Sequence, residues 1–221
     1  MTESLKRSGS RTWMYITGAV AVVALAVLIT ISASGDSGST PDQLAGVDEV
    51  TALFSGIPQK GLAVGKDDAP VTITEYLDIQ CSHCASAAVG TLPAIVRDHV
   101  KTGEVKLVMQ PISIIGPESE TAGLAVIAAG NQDQAWQMAD VLFRNRGAEN
   151  GGWVTEGLLN KVATSVGLDA GKLDGDRGSD AVKKTWETAR ESAKTAGVQG
   201  TPTIIVKGSK GQYTVKDYGN I

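Results

Sequence analysis

A chain of 221 residues, 42% hydrophobic and 20% charged, is long enough for one domain plus a tail and apolar enough to bury a sizeable core. Aromatic residues are only 5%, so Ala, Val, Leu and Ile must build that core; a net charge of −4, with no basic patch interleaved with aromatics, excludes nucleic acid as a partner. The two cysteines share one tetrapeptide, Cys81-Ser82-His83-Cys84, a pattern of reactivity rather than of a stapled scaffold, which would spread several pairs.

In chain order, a basic segment over 1–12 carries Lys6, Arg7 and Arg11 and precedes an almost unbroken apolar run from Met14 to Ile31. That run approaches the ~20 residues that cross a bilayer as a helix. The segment 13–34 is therefore expected to be a transmembrane signal-anchor, with Trp13 and Tyr15 at the interface. Acidic residues follow it (Asp36, Asp42, Asp48, Glu49), and no base appears before Lys60. The positive-inside rule then leaves the N-terminus cytoplasmic and the rest outside the membrane. The competing expectation is a signal peptide cleaved near Ser34, with Ser32 and Ser34 as the small residues before the cut. On either expectation the globular part is exported to where disulfides persist.

Residues 35–60 begin rich in Gly, Ser, Asp and Thr and read as a spacer. The folded domain is expected over 61–221. Val71 to Leu77 alternates and is dense in β-branched residues, which predicts a strand. After Cys81, residues Ala85, Ala88, Val89, Leu92, Ile95 and Val96 recur at helical spacing, predicting an amphipathic helix from about Ser82 to Val100, kinked at Pro93. A second strand runs from Val105 to Gln110 and stops at Pro111. The block 117–196 is helical in character, with segments near 118–130, 132–146, 155–166 and 179–196. A hairpin closes the pattern, from Thr203 to Lys207 and from Gln212 to Lys216.

A Cys-x-x-Cys that opens a helix has a physical rationale. Unpaired backbone N–H groups and the positive end of the helix dipole favour a thiolate at the first sulfur, Cys81, making it the nucleophile. Cys84, one turn further in and less exposed, resolves the mixed disulfide. His83 is placed to donate a hydrogen bond to the Cys81 thiolate. A zinc site would need four ligands, and only His83 and His99 stand beside the cysteines, so neither metal nor cofactor is expected; His99 reads as a solvated surface residue. Glu75 shares parity with Val71, Ile73 and Leu77, which turns it to an apolar face six residues before Cys81. A carboxyl group buried there would have a raised pKa and could relay protons to Cys84; a strand-edge charge paired with a lysine is the alternative. Gly200-Thr201-Pro202-Thr203 opens the third strand, and its proline is a candidate cis residue.

The string Thr74-Glu75-Tyr76-Leu77-Asp78-Ile79-Gln80-Cys81-Ser82-His83-Cys84, with Val198-Gln199-Gly200-Thr201-Pro202-Thr203 far downstream, resembles the DsbA-like branch of the thioredoxin superfamily, in particular its membrane-anchored or secreted bacterial members. The resemblance spans roughly Leu62 to Lys216. It implies an α/β thioredoxin-like fold with a helical insertion between the second and third core strands, a cis Thr201–Pro202 bond beside the sulfurs, Thr201 and Pro202 contacting the substrate backbone, and Glu75 as the buried acid. It also implies reduced exported proteins as substrates and a membrane reoxidant of the DsbB or VKOR type as partner. Two departures stand out: Ser82 occupies a position where family members often carry Pro, and the closing helix usual for the fold is not expected after the last strand. The segment from Asp48 to Ser55, through Val50, Leu53 and Phe54, is then the candidate apolar cover. The expected function is an extracytoplasmic disulfide oxidase; a reductase or isomerase of the same fold, and a redox-inactive tethered binding module, are its rivals.

Overall fold

The computed structural model describes residues 43–215. The basic segment 1–12 and the expected membrane span 13–34 lie outside the described residues; within them, no helix is long and apolar enough to cross a membrane. The elements in chain order are α1 (Val47–Phe54), β1 (Gln59–Lys60), β2 (Ala63–Val64), β3 (Val71–Leu77), α2 (Ser82–Gly90), α3 (Leu92–Ile95), a π-helical turn Val96–Val100, β4 (Val105–Pro111), α4 (Pro117–Gly130), α5 (Ala135–Arg144), α6 (Glu156–Ser165), α7 (Ala170–Arg177), α8 (Asp180–Thr195), β5 (Thr203–Gly208) and β6 (Gly211–Val215).

The strands form one mixed sheet in the order β1-β2-β4-β3-β5-β6. β3 runs parallel to β4, with Glu75 opposite Met109, and antiparallel to β5, with Glu75 opposite Ile204. Because β3 has a strand on either side and helices cover both faces, it is not apolar on one face alone. Ile73 and Leu77 join the larger core cluster, while Tyr76, on the opposite face, packs with Ile112, Ala189, Ala193 and Ile205 and shares a 2.7 Å hydrogen bond with the Ser192 hydroxyl.

The expected single kinked helix after Cys81 is instead three pieces. Pro93 has no N–H to give, so α2 stops at Gly90 and Pro93 is taken into the first turn of α3, where an N–H has no helical partner anyway. The π turn then closes with Lys101 N–H on the Val96 carbonyl at 3.0 Å.

The helical block arrives where the sequence placed it, with one addition. Thr155, Asp169 and Ser179 cap α6, α7 and α8 by accepting from the N–H groups of Leu158, Lys172 and Val182. Helix α7, absent from the sequence expectation, buries only Leu173, too little for an apolar period to register. Helices α4 and α8 approach closely at Gly123, where an added Cβ would stand 2.4 Å from the Trp186 ring.

The stretch expected as spacer, 35–60, needs correction at its C-terminal end. Residues 47–60 contain α1 and β1; Val50, Leu53 and Phe54 are buried, and the Phe54 ring lies 6.2 Å from that of Trp136 on α5. The apolar side chains of the segment Asp48 to Ser55 are buried, but against α5 and the π-helical turn rather than on the sheet, so the segment does not stand in for the closing helix. Two-residue strands such as β1 and β2 are too short to carry a sequence period.

Candidate active site

β3 delivers the chain to the sheet's C-terminal edge, and the turn after it is built on Asp78. Its buried carboxylate accepts from Gln80 N–H at 2.8 Å with one oxygen, and from Ile114 and Ile115 N–H at 2.8 and 2.9 Å with the other. This ties the turn before the cysteines to the loop after β4. Cys81 is the N-cap of α2, in extended conformation (φ −68°, ψ 124°), and its carbonyl accepts the Ala85 N–H at 3.1 Å.

The two sulfurs occupy opposite environments. Cys81 retains 4% of its surface exposed and Cys84 none, so an incoming thiolate can reach only the first. Even Cys81 is more covered than a helix start implies, because the Thr201–Pro202 segment lies against it: the peptide bond is cis, and Cys81 Sγ meets the Thr201 carbonyl at 3.3 Å. The Cys81 thiol is lowered to about pKa 5 by a hydrogen bond from the Cys84 thiol, aided by the Thr201 side chain and the backbone N–H groups of Cys84 and His83, against the opposing effect of its own burial. Burial pushes the Cys84 thiol strongly up, and the negative charge of Cys81 adds to that. One sulfur is held as thiolate, the other as thiol.

Glu75 lies behind this pair, half-buried among the apolar side chains of Leu77, Leu92, Met109 and Ile204, and desolvation raises its carboxyl to about pKa 7. The carboxyl also acts on Cys84, whose pKa its charge raises. The strand-edge alternative for Glu75 does not hold: β3 is an inner strand, and no lysine partner for Glu75 exists among the described residues. His83 departs from expectation. Its side chain is exposed and makes no hydrogen bond to either sulfur among the described residues; its contribution to Cys81 comes from the backbone N–H. His99 is an exposed residue hydrogen-bonded to Glu104 at 2.9 Å, as a solvated surface histidine should be.

These observations meet in one arrangement: a thiolate at a helix N-terminus, a sealed partner thiol, a half-buried acid behind it and a cis-proline loop in front. The thioredoxin family model matches residues 58–220. Disulfide bond formation protein D of Bacillus subtilis (strain 168) is 31% identical over 157 residues, covering 69% of this chain and 71% of its own. The crystal structure of oxidised BdbD from Bacillus subtilis superposes with a TM-score of 0.65 at 26% identity, over 74% of this chain and 90% of that one. The chain belongs to the thioredoxin family, in its DsbA-like branch. Chlamydia trachomatis DsbA, at 22% identity and a TM-score of 0.61 over 70% of this chain and 83% of its own, agrees in fold. The protein is a thiol–disulfide oxidoreductase.

Sequence reasoning missed the part of this DsbA-like site contributed by the helical insertion. Gln80 is fully buried: its side-chain amide donates to Ser119 Oγ at 2.9 Å and its amide oxygen accepts Asn150 N–H at 2.7 Å, while its main-chain carbonyl accepts from Arg146 at 3.4 Å. The clasp brings the loop after α5 over the start of α2, where Glu149 Oε1 accepts the Ser82 N–H at 3.3 Å. The sequence shows a glutamine immediately before Cys81 but not its burial, and nothing local pointed to Asn150 or Glu149.

Proposed function

We propose that this oxidoreductase works as a disulfide oxidase on exported proteins, outside the cytoplasm, and is regenerated by a membrane reoxidant of the DsbB or VKOR type. The observation that carries the direction is the low pKa of Cys81 beside the raised pKa of Cys84. A thiolate stabilised in the reduced protein makes the disulfide a better electron acceptor. The substrate thiolate attacks Cys81 Sγ; the Cys81–Cys84 bond breaks with its electron pair on Cys84, which takes a proton. A second substrate thiolate then attacks the substrate sulfur of the mixed disulfide, expelling Cys81 as the stabilised thiolate. The substrate leaves with a disulfide, and the enzyme keeps two electrons for its reoxidant. Thr201 and Pro202, lying against Cys81, are placed to meet the substrate backbone during this exchange.

The export reading rests on the apolar run Met14 to Ile31 after Lys6, Arg7 and Arg11. The names of the relatives support it too, being disulfide bond formation proteins. The deciding experiment is the equilibrium of the pair with glutathione, together with oxidation of a reduced, unfolded ribonuclease. A potential between about −200 and −120 mV with net oxidation is expected; one at or below the −270 mV or so of thioredoxin, with brisk insulin reduction, would assign the protein to the reductases. Protease accessibility of the domain in intact spheroplasts tests the location.

A further inference from the structure

Only 4% of Cys81 is exposed, so a client thiolate cannot reach Sγ unless its neighbouring residues lie against the rim of that opening. On one side stands the cis Thr201–Pro202 segment, which carries no charge. On another stands the loop 146–152 of the helical insertion, which follows α5.

This loop is held in place. Asn150 sits in the left-handed region (φ 54°), which asparagine visits more readily than most residues. Its side-chain amide donates to the Ile115 carbonyl at 3.2 Å. Residue 116 has to be glycine for this, because a Cβ there would stand 2.2 Å from Asn150 Oδ1. The Gly151 N–H closes a turn on the Ala148 carbonyl at 2.9 Å, and the Gly152 N–H donates to Glu118 Oε1 at 2.9 Å. A residue kept in a sparsely populated conformation beside a working site is a reason to ask what it positions. Here the residue before it is Glu149, whose carboxylate is set against the first turn of α2.

The other charged groups near the opening are occupied. The buried Asp78 carboxylate already accepts three N–H groups. Glu118 accepts from Gly152 and Val154 N–H with its two oxygens. Arg146 is half-buried and turns its guanidinium inward, to the carbonyls of Gln80 and Gly147 at 3.4 and 3.2 Å. Glu149 differs from all of these. It is exposed, pairs with no lysine or arginine among the described residues, and uses only Oε1, on the Ser82 N–H at 3.3 Å.

We propose that Glu149 makes this site selective for client cysteines flanked by lysine or arginine, and against those flanked by aspartate or glutamate. The inference rests on the thiol–disulfide exchange reading and names the substrate class of that same site. In the oxidised protein Cys81 carries no charge, so Glu149 is the anion that the incoming client meets. A basic neighbour of the attacking thiolate is drawn to it and an acidic one repelled, and salt screens both effects. Glu149 sets specificity rather than chemistry, since it touches neither sulfur.

The test is the rate at which capped peptides reduce the oxidised full-length protein, each with one cysteine flanked by two lysines, two alanines or two glutamates. Rates are expressed per peptide thiolate, so that the flanks' effect on the peptide's own thiol is removed. The wild type should prefer the lysine peptide over the glutamate peptide by about fivefold or more at low salt, with the ratio falling toward one at about 1 M salt. Glu149→Gln should shrink the ratio several-fold, and Glu149→Lys should invert it. Because each ratio is taken within one variant, any change in Cys81 itself cancels. Glu104→Lys makes the same change of net charge as Glu149→Lys at the opposite edge of the sheet, where β4 begins, and should keep the wild-type preference. A wild-type ratio near one, a ratio unmoved in Glu149→Gln, or an equal shift in Glu104→Lys would overturn the proposal. If Glu149→Lys fails to fold, Glu149→Gln decides. A protein that exchanges with all three peptides equally loses only the selectivity, whereas one that exchanges with none loses the oxidoreductase reading as well.

Discussion

The front and the back of α2 treat the same functional group in opposite ways. At the front, Cys81 is met by hydrogen-bond donors from Cys84, Thr201 and the first backbone N–H groups, and its thiol falls to about pKa 5. At the back, one helical turn inward, Cys84 and Glu75 are met by apolar side chains, and burial moves both toward their neutral forms. Separation along the chain is slight, so the difference is set by what the rest of the molecule presents to each group. Donors favour the charged state, and desolvation opposes it.

The largest expected effect comes from removing either sulfur. Cys81→Ser should abolish exchange outright, whereas Cys84→Ala should accumulate client proteins bound through Cys81. Recovery of no such adducts by non-reducing electrophoresis and mass spectrometry would leave the front of α2 without its assigned role.

Glu75→Gln should separate catalysis from stability. The folded pKa of about 7 lies above the group's ordinary value of 4.5, so the protein keeps full stability below about pH 4.5 and loses some as pH rises through 7. The neutral variant should therefore be more stable than wild type at pH 8, by roughly 3 kcal/mol, with the gap closing in acid, while resolution at Cys84 slows. Urea titrations at pH 4 and pH 8 measure this; equal differences at both would place Glu75 in water.

Ionisation of Cys81 gives a linkage of the opposite sign, readable in the reduced protein. Its folded pKa of about 5 lies below the group's ordinary value of 9.0, so its stabilisation is full above pH 9 and is lost as pH falls to 5. Thiolate absorbance near 240 nm should show a midpoint at about pH 5.

Smaller effects belong to the loop that the helical insertion lays over the front. Gln80→Ala leaves the Asn150 N–H and the Ser119 hydroxyl without their partner, and should cost about 1–3 kcal/mol together with faster proteolysis near residues 146–150. Glu149→Gln removes a negative charge from the N–H end of α2 and should lower the Cys81 midpoint slightly, less so at 1 M salt than at low salt. An unchanged midpoint at low salt would show that the Glu149 charge does not act on Cys81.

Local pattern determined much of this protein. The β-branched run Val71 to Leu77, the Cys-x-x-Cys opening a helix, and Thr201-Pro202 at the head of a strand each announce themselves within a few residues, because strand alternation, helix termini and proline geometry are short-range physics. The parity that turned Glu75 toward apolar neighbours was equally legible. Tertiary structure decided the rest. The burial of Tyr76 opposite Leu77 follows from helices covering both faces of β3, the folding of 47–60 onto the body from the need of α5 for an apolar partner, and the exposure of the His83 imidazole from the direction in which α2 leaves its cap. The clasp of Gln80 on Asn150 and the approach of Glu149 to Ser82 join residues 67 to 70 positions apart. No local period encodes such meetings, since the chain brings those groups together only when the insertion packs against the sheet.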